Sequence, residues 1–321
     1  MKAQFEIERF PLAGEFRISR GARTEAVVVT ATLEAGGVVA RGECVPYARY
    51  GESPQSVVKQ LQEVADPFDH DALPEALPAG AARNALDCAL WDLAAKRAGK
   101  RVWEVLGLPA PKPEVTAYTL SLGTAEQMEA AAREHAHRPL LKTKLGGEGD
   151  VARIEAVRRG APDAAIIVDA NEGWTAQSYA ELAPVFVRLG VNMVEQPLPA
   201  GEDDALADME RPLPVCADEA AHDCTTLPSL SGKYDMVNIK LDKTGGLTEA
   251  LALRDAARAA GFAVMTGCMV GTSLGMAPAV LVAQGSAFTD LDGPLLLAED
   301  RDPPLAYDAA GVHPPDVALW G

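Results

Sequence analysis

Pro139-Leu-Leu-Lys-Thr-Lys144 is an apolar run that ends on charge, and the chain repeats that pattern at a near-constant interval. Ile166-Ile-Val-Asp169 follows, then Val191-Asn-Met-Val-Glu195, Val215-Cys-Ala-Asp218, Met236-Val-Asn-Ile-Lys240 and Ala287-Phe-Thr-Asp290. From Lys144 to Lys240 the charged ends lie 25, 26, 23 and 22 residues apart. A strand, a helix and two loops need about that length. The gap of 50 from Lys240 to Asp290 holds two such units, and Phe262-Ala-Val-Met-Thr266 supplies the intervening strand. Upstream, Ala117-Tyr-Thr-Leu-Ser121 supplies another. Eight successive βα units predict a closed parallel (β/α) barrel of the TIM type, whose reactive groups sit at the C-terminal ends of its strands.

The 321 residues suffice for one barrel and a smaller domain, and an apolar fraction of 48% supports a large core. A net charge of −17 argues against nucleic acid and against anionic membrane surfaces as partners. No uncharged apolar run reaches the length of a membrane span. The first residues lack the apolar core of a secretion signal. The five cysteines are scattered without a CxxC, which suits buried thiols in a reducing cytoplasm. His135 and His137 fall at a helix end and make a poor metal site. Nothing in the sequence decides for or against a homo-oligomer.

Residues 1–110 depart from the barrel rhythm and read as an α+β domain. Glu25–Leu33 is rich in β-branched residues, and Gly36-Gly37 turns it into Val38–Glu43. Helices are expected over Ser53–Val64 and over Ala81–Ala98, the second stopped by Gly99. The proline-rich Pro109–Pro113 joins this domain to the barrel at 111–300. Within the barrel, helical spacing marks Tyr179, Leu182, Phe186 and Leu189, and Thr248–Ala260. The tail, 301–321, carries four prolines and is expected to wrap back over the surface or the capping domain.

Asp169, Glu195 and Asp218 end three consecutive strands, close enough for their side chains to converge. One acid at a strand end is as well explained by capping the next helix. Three in succession, without His or Cys, make a hard oxygen site of the kind Mg²⁺ takes, one ion per subunit. Asn171 and Glu219 lie just beyond two of these acids and are candidates to support them. Lys142 and Lys144 are two apart on one strand and so point to one face, into the barrel mouth. Lys240 comes from the sixth strand, on the far side of the metal. A lysine base needs its pKa brought down towards neutrality, which neighbouring cations do. Two lysines on opposite sides of a metal-bound carboxylate suit removal of the proton α to it and its return on the other face. Lys142 would steady the enediolate between those steps.

The motifs Lys142-Thr-Lys144, Val168-Asp-Ala-Asn171, Glu195-Gln-Pro197, Asp218-Glu219 and Asn238–Gly246 resemble the enolase superfamily, muconate-lactonizing subgroup, along the whole chain. Gly80–Leu93, Tyr47–Ser53 and Asp290-Leu-Asp292-Gly-Pro resemble most closely the L-Ala-D/L-Glu epimerases, the dipeptide epimerases of murein-peptide metabolism. The resemblance implies an N-terminal capping domain, Mg²⁺ as cofactor and a small dipeptide as substrate. It also implies that Asp290 and Asp292 receive the dipeptide's ammonium. A Glu side chain at the other end of the substrate needs a donor, and Arg20 or Arg23 fits by charge. Muconate cycloisomerase, o-succinylbenzoate synthase and N-acylamino acid racemase are the sibling activities that share the triad and the lysines.

Overall fold

The computed structural model describes residues 1–64 and 69–321. Three antiparallel strands open the chain: β1 (Lys2–Ile18), β2 (Gly21–Ala35) and β3 (Val38–Cys44), with β2 in the centre. Val29, Ala31 and Leu33 alternate inward from β2 and meet Val57 and Leu61 of the helix Pro54–Glu63 and Ala85, Leu86 and Ala89 of the helix Ala81–Ala98. The Ser53 hydroxyl accepts from the Ser56 amide and so starts the first of these helices. Gly99 ends the second in the left-handed conformation. Both helices lie within a residue of their expected limits. The crossing of β3 and the long helix is close, because a Cβ on Gly42 would stand 2.1 Å from the Ala85 carbonyl oxygen. The long strand β1 is not foreshadowed by the sequence. It is an edge strand, and Pro11 within it is tolerated there because one side makes no ladder.

The barrel follows in chain order. Its strands are β4 (Tyr118–Leu120), β5 (Leu140–Lys144), β6 (Ala165–Asp169), β7 (Val191–Glu195), β8 (Val215–Ala217), β9 (Met236–Ile239), β10 (Ala263–Thr266) and β11 (Phe288–Thr289). All pair parallel with their sequence neighbours. A parallel bridge between Thr116 and Thr289 joins first to last, and the Ala117 amide donates to the Thr289 carbonyl at 2.8 Å. Ala117, Leu140, Ile167, Met193, Cys216, Met236 and Met265 fill the interior as an apolar floor. Every charged strand end stands above that floor. Helices Ala125–Glu134, Asp150–Gly160, Ala176–Arg188, Leu247–Ala259 and Ser273–Ala283 pack outside. Pro184 is accommodated inside the third of these.

The tail returns to the first 110 residues. Arg301 pairs with Glu8 at 2.7 Å and with buried Glu43 at 2.8 Å. The Trp320 indole donates to the Cys88 carbonyl at 3.0 Å, and the Gly321 amide to Asp92 at 2.7 Å. A second tie between the two halves is Asp242, buried just beyond β9. Its Oδ1 accepts from the Val45 amide at 2.9 Å and from the Asn84 side chain at 2.8 Å. Among the described residues no helix is long and apolar enough to cross a membrane. The five cysteines are free thiols.

Burial pushes the Asp242 carboxyl up to about 7, against its two donors and with help from Glu52 and Glu43. The native state therefore holds a proton that the unfolded chain releases near pH 4, so this group's stabilisation is full below that pH and declines as pH rises to 7. That stabilisation is at most about 4 kcal/mol. Asp242→Asn keeps the acceptor and removes the titration. Urea unfolding at pH 5 and pH 8 should show the variant gaining on the wild type at the higher pH. Parallel pH dependences would show that Asp242 is already ionised in the fold.

Candidate active site

Each barrel strand that ends on charge delivers it to one place. Asp169 and Glu195 are the last residues of β6 and β7 and pair directly in register. Asp218 follows β8 by one residue. All three are buried, and one oxygen from each lies within 4.8 Å of the others. Lys142 Nζ reaches into the cluster from β5, 2.7 Å from Glu195 Oε2, 2.7 Å from Asp290 Oδ2 and 3.2 Å from Asp169 Oδ2. Lys144 is 2.6 Å from Asp169 Oδ2 on one flank. Lys240 is 2.6 Å from Asp218 Oδ2 on the other. The side-chain alternation read from the sequence thus holds: Lys142 and Lys144 enter the mouth together.

The supporting contacts are equally definite. The Asn171 amide donates to Asp169 Oδ1 at 2.9 Å, and its side chain to Glu219 Oε1 at 3.3 Å. The Asn238 side chain donates to Glu195 Oε1 at 2.8 Å. Lys243 and Gln196 also belong to the site, although the spacing of strand ends does not single them out. Lys243 stands one helical turn beyond Lys240 and donates to Asp218 Oδ1 at 2.7 Å. Gln196 Oε1 accepts from the Asp218 and Ala220 amides at 2.9 and 3.1 Å. Both lie inside quoted motifs, where the pattern of residues was the only signal.

Electrostatics follow from burial and neighbours. Burial drives the Asp169 carboxyl up, but Lys144 and Lys142 outweigh it and bring it to about 2. Burial and the charge on Asp169 push Glu195 up to about 7. Burial, then Asp290, do the same to Asp292, also to about 7. The surrounding carboxylates hold Lys142 and Lys240 above the ordinary lysine value. Burial depresses both, but carboxylates raise them further, Asp290 and Glu195 for Lys142 and Asp218 and Glu195 for Lys240.

The specificity candidates divide. Asp290 and Asp292 are buried at the seam of the barrel. Asp290 meets Lys142, and Asp292 Oδ2 accepts the Thr119 amide at 2.6 Å. Among the described residues, buried Asp290 Oδ1 has no hydrogen-bond partner. Arg20 is fully engaged, donating to Glu219 at 2.7 Å, to the Asn171 carbonyl at 2.8 Å, to Tyr47 at 3.0 Å and to Glu172 at 3.1 Å. Arg23 has no acidic partner among the described residues, and its guanidinium lies 5.7 Å from the Tyr47 ring centre. It lines a narrow cavity with Phe16, Tyr47, Tyr50, Lys144 and Lys240.

Comparisons agree with this architecture. The mandelate racemase/muconate lactonizing enzyme N-terminal domain matches residues 4–107, and the enolase C-terminal domain-like family matches residues 123–317. Fold and site together define a capped parallel barrel with an acid triad set between lysines. The chain belongs to the enolase superfamily, in its mandelate racemase/muconate lactonizing branch. It is 47% identical to an L-Ala-D/L-Glu epimerase of Escherichia coli K12 over 95% of this chain and 97% of that one. It is 45% identical to an N-acetyl-D-glutamate racemase of a Pseudoalteromonas species over 87% and 90%. Among solved structures it resembles an enolase family member from Agrobacterium tumefaciens that holds sodium and L-Ala-L-Glu. That match has a TM-score of 0.97 and 53% identity over 99% of each chain. A dipeptide epimerase from Enterococcus faecalis, complexed with Mg and L-Leu-L-Tyr, matches with a TM-score of 0.89 and 26% identity over 98% and 97%.

The donor set fits a hard divalent cation: three buried carboxylates within reach of one point, with no nitrogen or sulfur ligand between them. Asn238 orients the middle acid without adding charge. Asn238→Ala should therefore weaken Mg²⁺ binding about 10- to 100-fold by calorimetric titration. An unchanged affinity would show that Glu195 holds its position without it.

Proposed function

We propose that this protein is a dipeptide epimerase of the L-Ala-D/L-Glu type, with residues 1–110 as the cap, 111–300 as the catalytic barrel and 301–321 as the tail that ties them. The cytoplasm is the compartment this reading implies. One observation carries it: Lys144 and Lys240 hold opposite ends of the acid triad, Asp169 and Asp218, with the middle acid between them. A substrate carboxylate seated over the triad would present the two faces of its α-carbon to these two amines. Mg²⁺, when bound by Asp169, Glu195 and Asp218, supplies Lewis-acid stabilisation of the substrate carboxylate. Lys144 takes the α-proton from one face and Lys240 delivers one to the other, which inverts the carbon. Lys142, buried beneath them, adds fixed positive charge where negative charge develops.

Arg23 is the better donor for a distal Glu carboxylate, because Arg20 is already committed to Glu219 and Glu172. Asp290 and Asp292 offer the substrate's ammonium a carboxylate pair with one unpartnered oxygen. A second reading has its own support. Asp290 is already met by Lys142, which lessens the need for a substrate cation, and one relative is an N-acetyl-D-glutamate racemase. An N-acylglutamate would use the same triad, lysines and Arg23.

Proton NMR in D₂O with Mg²⁺ separates the two. With L-Ala-L-Glu, the Glu α-proton signal should vanish while a diastereomer appears. N-acetyl-L-Glu should turn over at least about 30-fold less efficiently, the smaller end of the penalty for an unpaired buried charge. Equal turnover would transfer the assignment to N-acylated glutamate. Lys144→Ala and Lys240→Ala should each abolish epimerisation while leaving α-proton exchange of one diastereomer through the surviving amine. Near-normal epimerisation by either variant would end the two-base reading. Arg23→Ala should lower kcat/KM for L-Ala-L-Glu about 30-fold or more and leave L-Ala-L-Ala unaffected.

A further inference from the structure

Glu172 lies three residues beyond Asp169 in a backbone that few side chains adopt. Asn171 and Glu172 have φ of 45° and 66°. Each such residue costs roughly 1–2 kcal/mol unless it is glycine, so surrounding contacts must hold the conformation. One result of the turn is that the Asn171 amide comes back to Asp169. The other is that the Glu172 side chain rises to the underside of the capping residues.

There it accepts from three separate segments. Arg49 donates in fork geometry, Nη2 to Oε1 at 2.8 Å and Nε to Oε2 at 3.0 Å. Arg20 Nη1 lies 3.1 Å from Oε2. The Ala200 amide, from the loop after β7, donates to Oε1 at 2.8 Å. Arg20 and Arg49 belong to the two capping segments that face the cavity. Arg20 follows the end of β1 and also holds the Tyr47 hydroxyl at 3.0 Å. Arg49 immediately precedes Tyr50, whose ring packs edge-on against His222 at 4.9 Å between centres. Fixing these two arginines therefore fixes Tyr47 and Tyr50 in the wall of the cavity, and Arg23 beside Tyr47.

We infer that Glu172 is a positioning residue, a barrel-mounted latch that closes both substrate-facing segments of the cap through Arg20 and Arg49. Both carboxylate oxygens are taken by the cap and the Ala200 amide, so it has no part in the proton transfers. An enzyme whose closed form is less populated binds its substrate more weakly in proportion. Loss of the latch thus raises KM and leaves the chemical step largely as it was. Only this kinetic half rests on the dipeptide-epimerase reading.

Both arginines are trypsin sites, which gives a readout independent of turnover. Full-length wild type, Glu172→Gln and Arg49→Gln are digested briefly with trypsin, with and without Mg²⁺ and L-Ala-L-Glu, and the cut bonds are identified by mass. Arg49→Gln changes a partly exposed residue and keeps the test alive if Glu172→Gln folds poorly. The latch predicts about tenfold faster cutting after Arg20 and Arg23 in both variants, and after Arg49 in Glu172→Gln. It also predicts a KM for L-Ala-L-Glu about tenfold higher and a kcat within about threefold of wild type. The double variant should be no worse than either single one. Cutting rates and KM within twofold of wild type in both variants would overturn the inference. So would cleavage spread across the barrel, which would make Glu172 a general stability residue. If no dipeptide turns over at all, the cutting pattern still decides the latch.

Discussion

A buried carboxylate must be met by a cation or by hydrogen-bond donors, and that requirement organises the mouth of this barrel. Asp169, Glu195, Asp218, Glu219, Asp290 and Asp292 are buried there with Lys142, Lys144, Lys240 and Lys243. Parallel strands hold the charges within a few ångströms because neighbouring strand ends are fixed in register, as Lys144, Asp169 and Glu195 show. The apolar floor beneath them gives no alternative partners. Asp169, Glu195, Asp218 and Asp290 are each met by a lysine, Glu219 by Arg20, and Asp292 by the Thr119 amide. Breaking one pair would leave its partner buried and unmatched, which makes the constellation cooperative.

The cap depends on the same charges. Arg20 reaches Glu219 and the Asn171 carbonyl, two groups that also support Asp169 and the triad. Arg301 joins the strands of the cap to the tail through Glu8 and Glu43. Asp242 takes the Val45 amide two residues after Lys240 leaves the sixth strand. The cap thus rests on residues one to three positions removed from the groups proposed to react.

Much of this was legible in the sequence because strand ends in a parallel barrel are periodic. The triad and three of the four lysines followed from spacing, and Gly99 and Ser53 bounded helices by local chemistry. What stayed hidden has a physical reason. β1 alternates little, since most of it is exposed along an edge, and its Pro11 and Gly14 read as breakers. Lys243 acts from a single helical turn rather than a strand end. Glu172 works only because two left-handed residues redirect it, a feature that side-chain pattern does not encode. The different partners of Arg20 and Arg23 are visible only in three dimensions, since the two lie three residues apart in one hairpin with the same charge.

The charge balance also argues for what the mouth receives. Six buried carboxyls face four buried lysines, and Arg20 adds a cation only at the rim, on Glu219. The shortfall is local. Glu195 and Asp292 are the two acids of the mouth held up at about 7, each by burial and by an adjacent acid. Glu219 is raised as well, by burial and by Asp218 and Asp169, but Arg20 meets it. Glu195 is the centre of the triad, where a divalent ion would sit. Asp292 stands at the seam beside Asp290, at the other side of Lys142, where a substrate ammonium would sit. With a divalent ion at the first place, an N-acylated substrate would still leave the second unmet. The geometry of the acids therefore favours a ligand that carries its own cation, and a dipeptide brings one at the end opposite its reacting carboxylate.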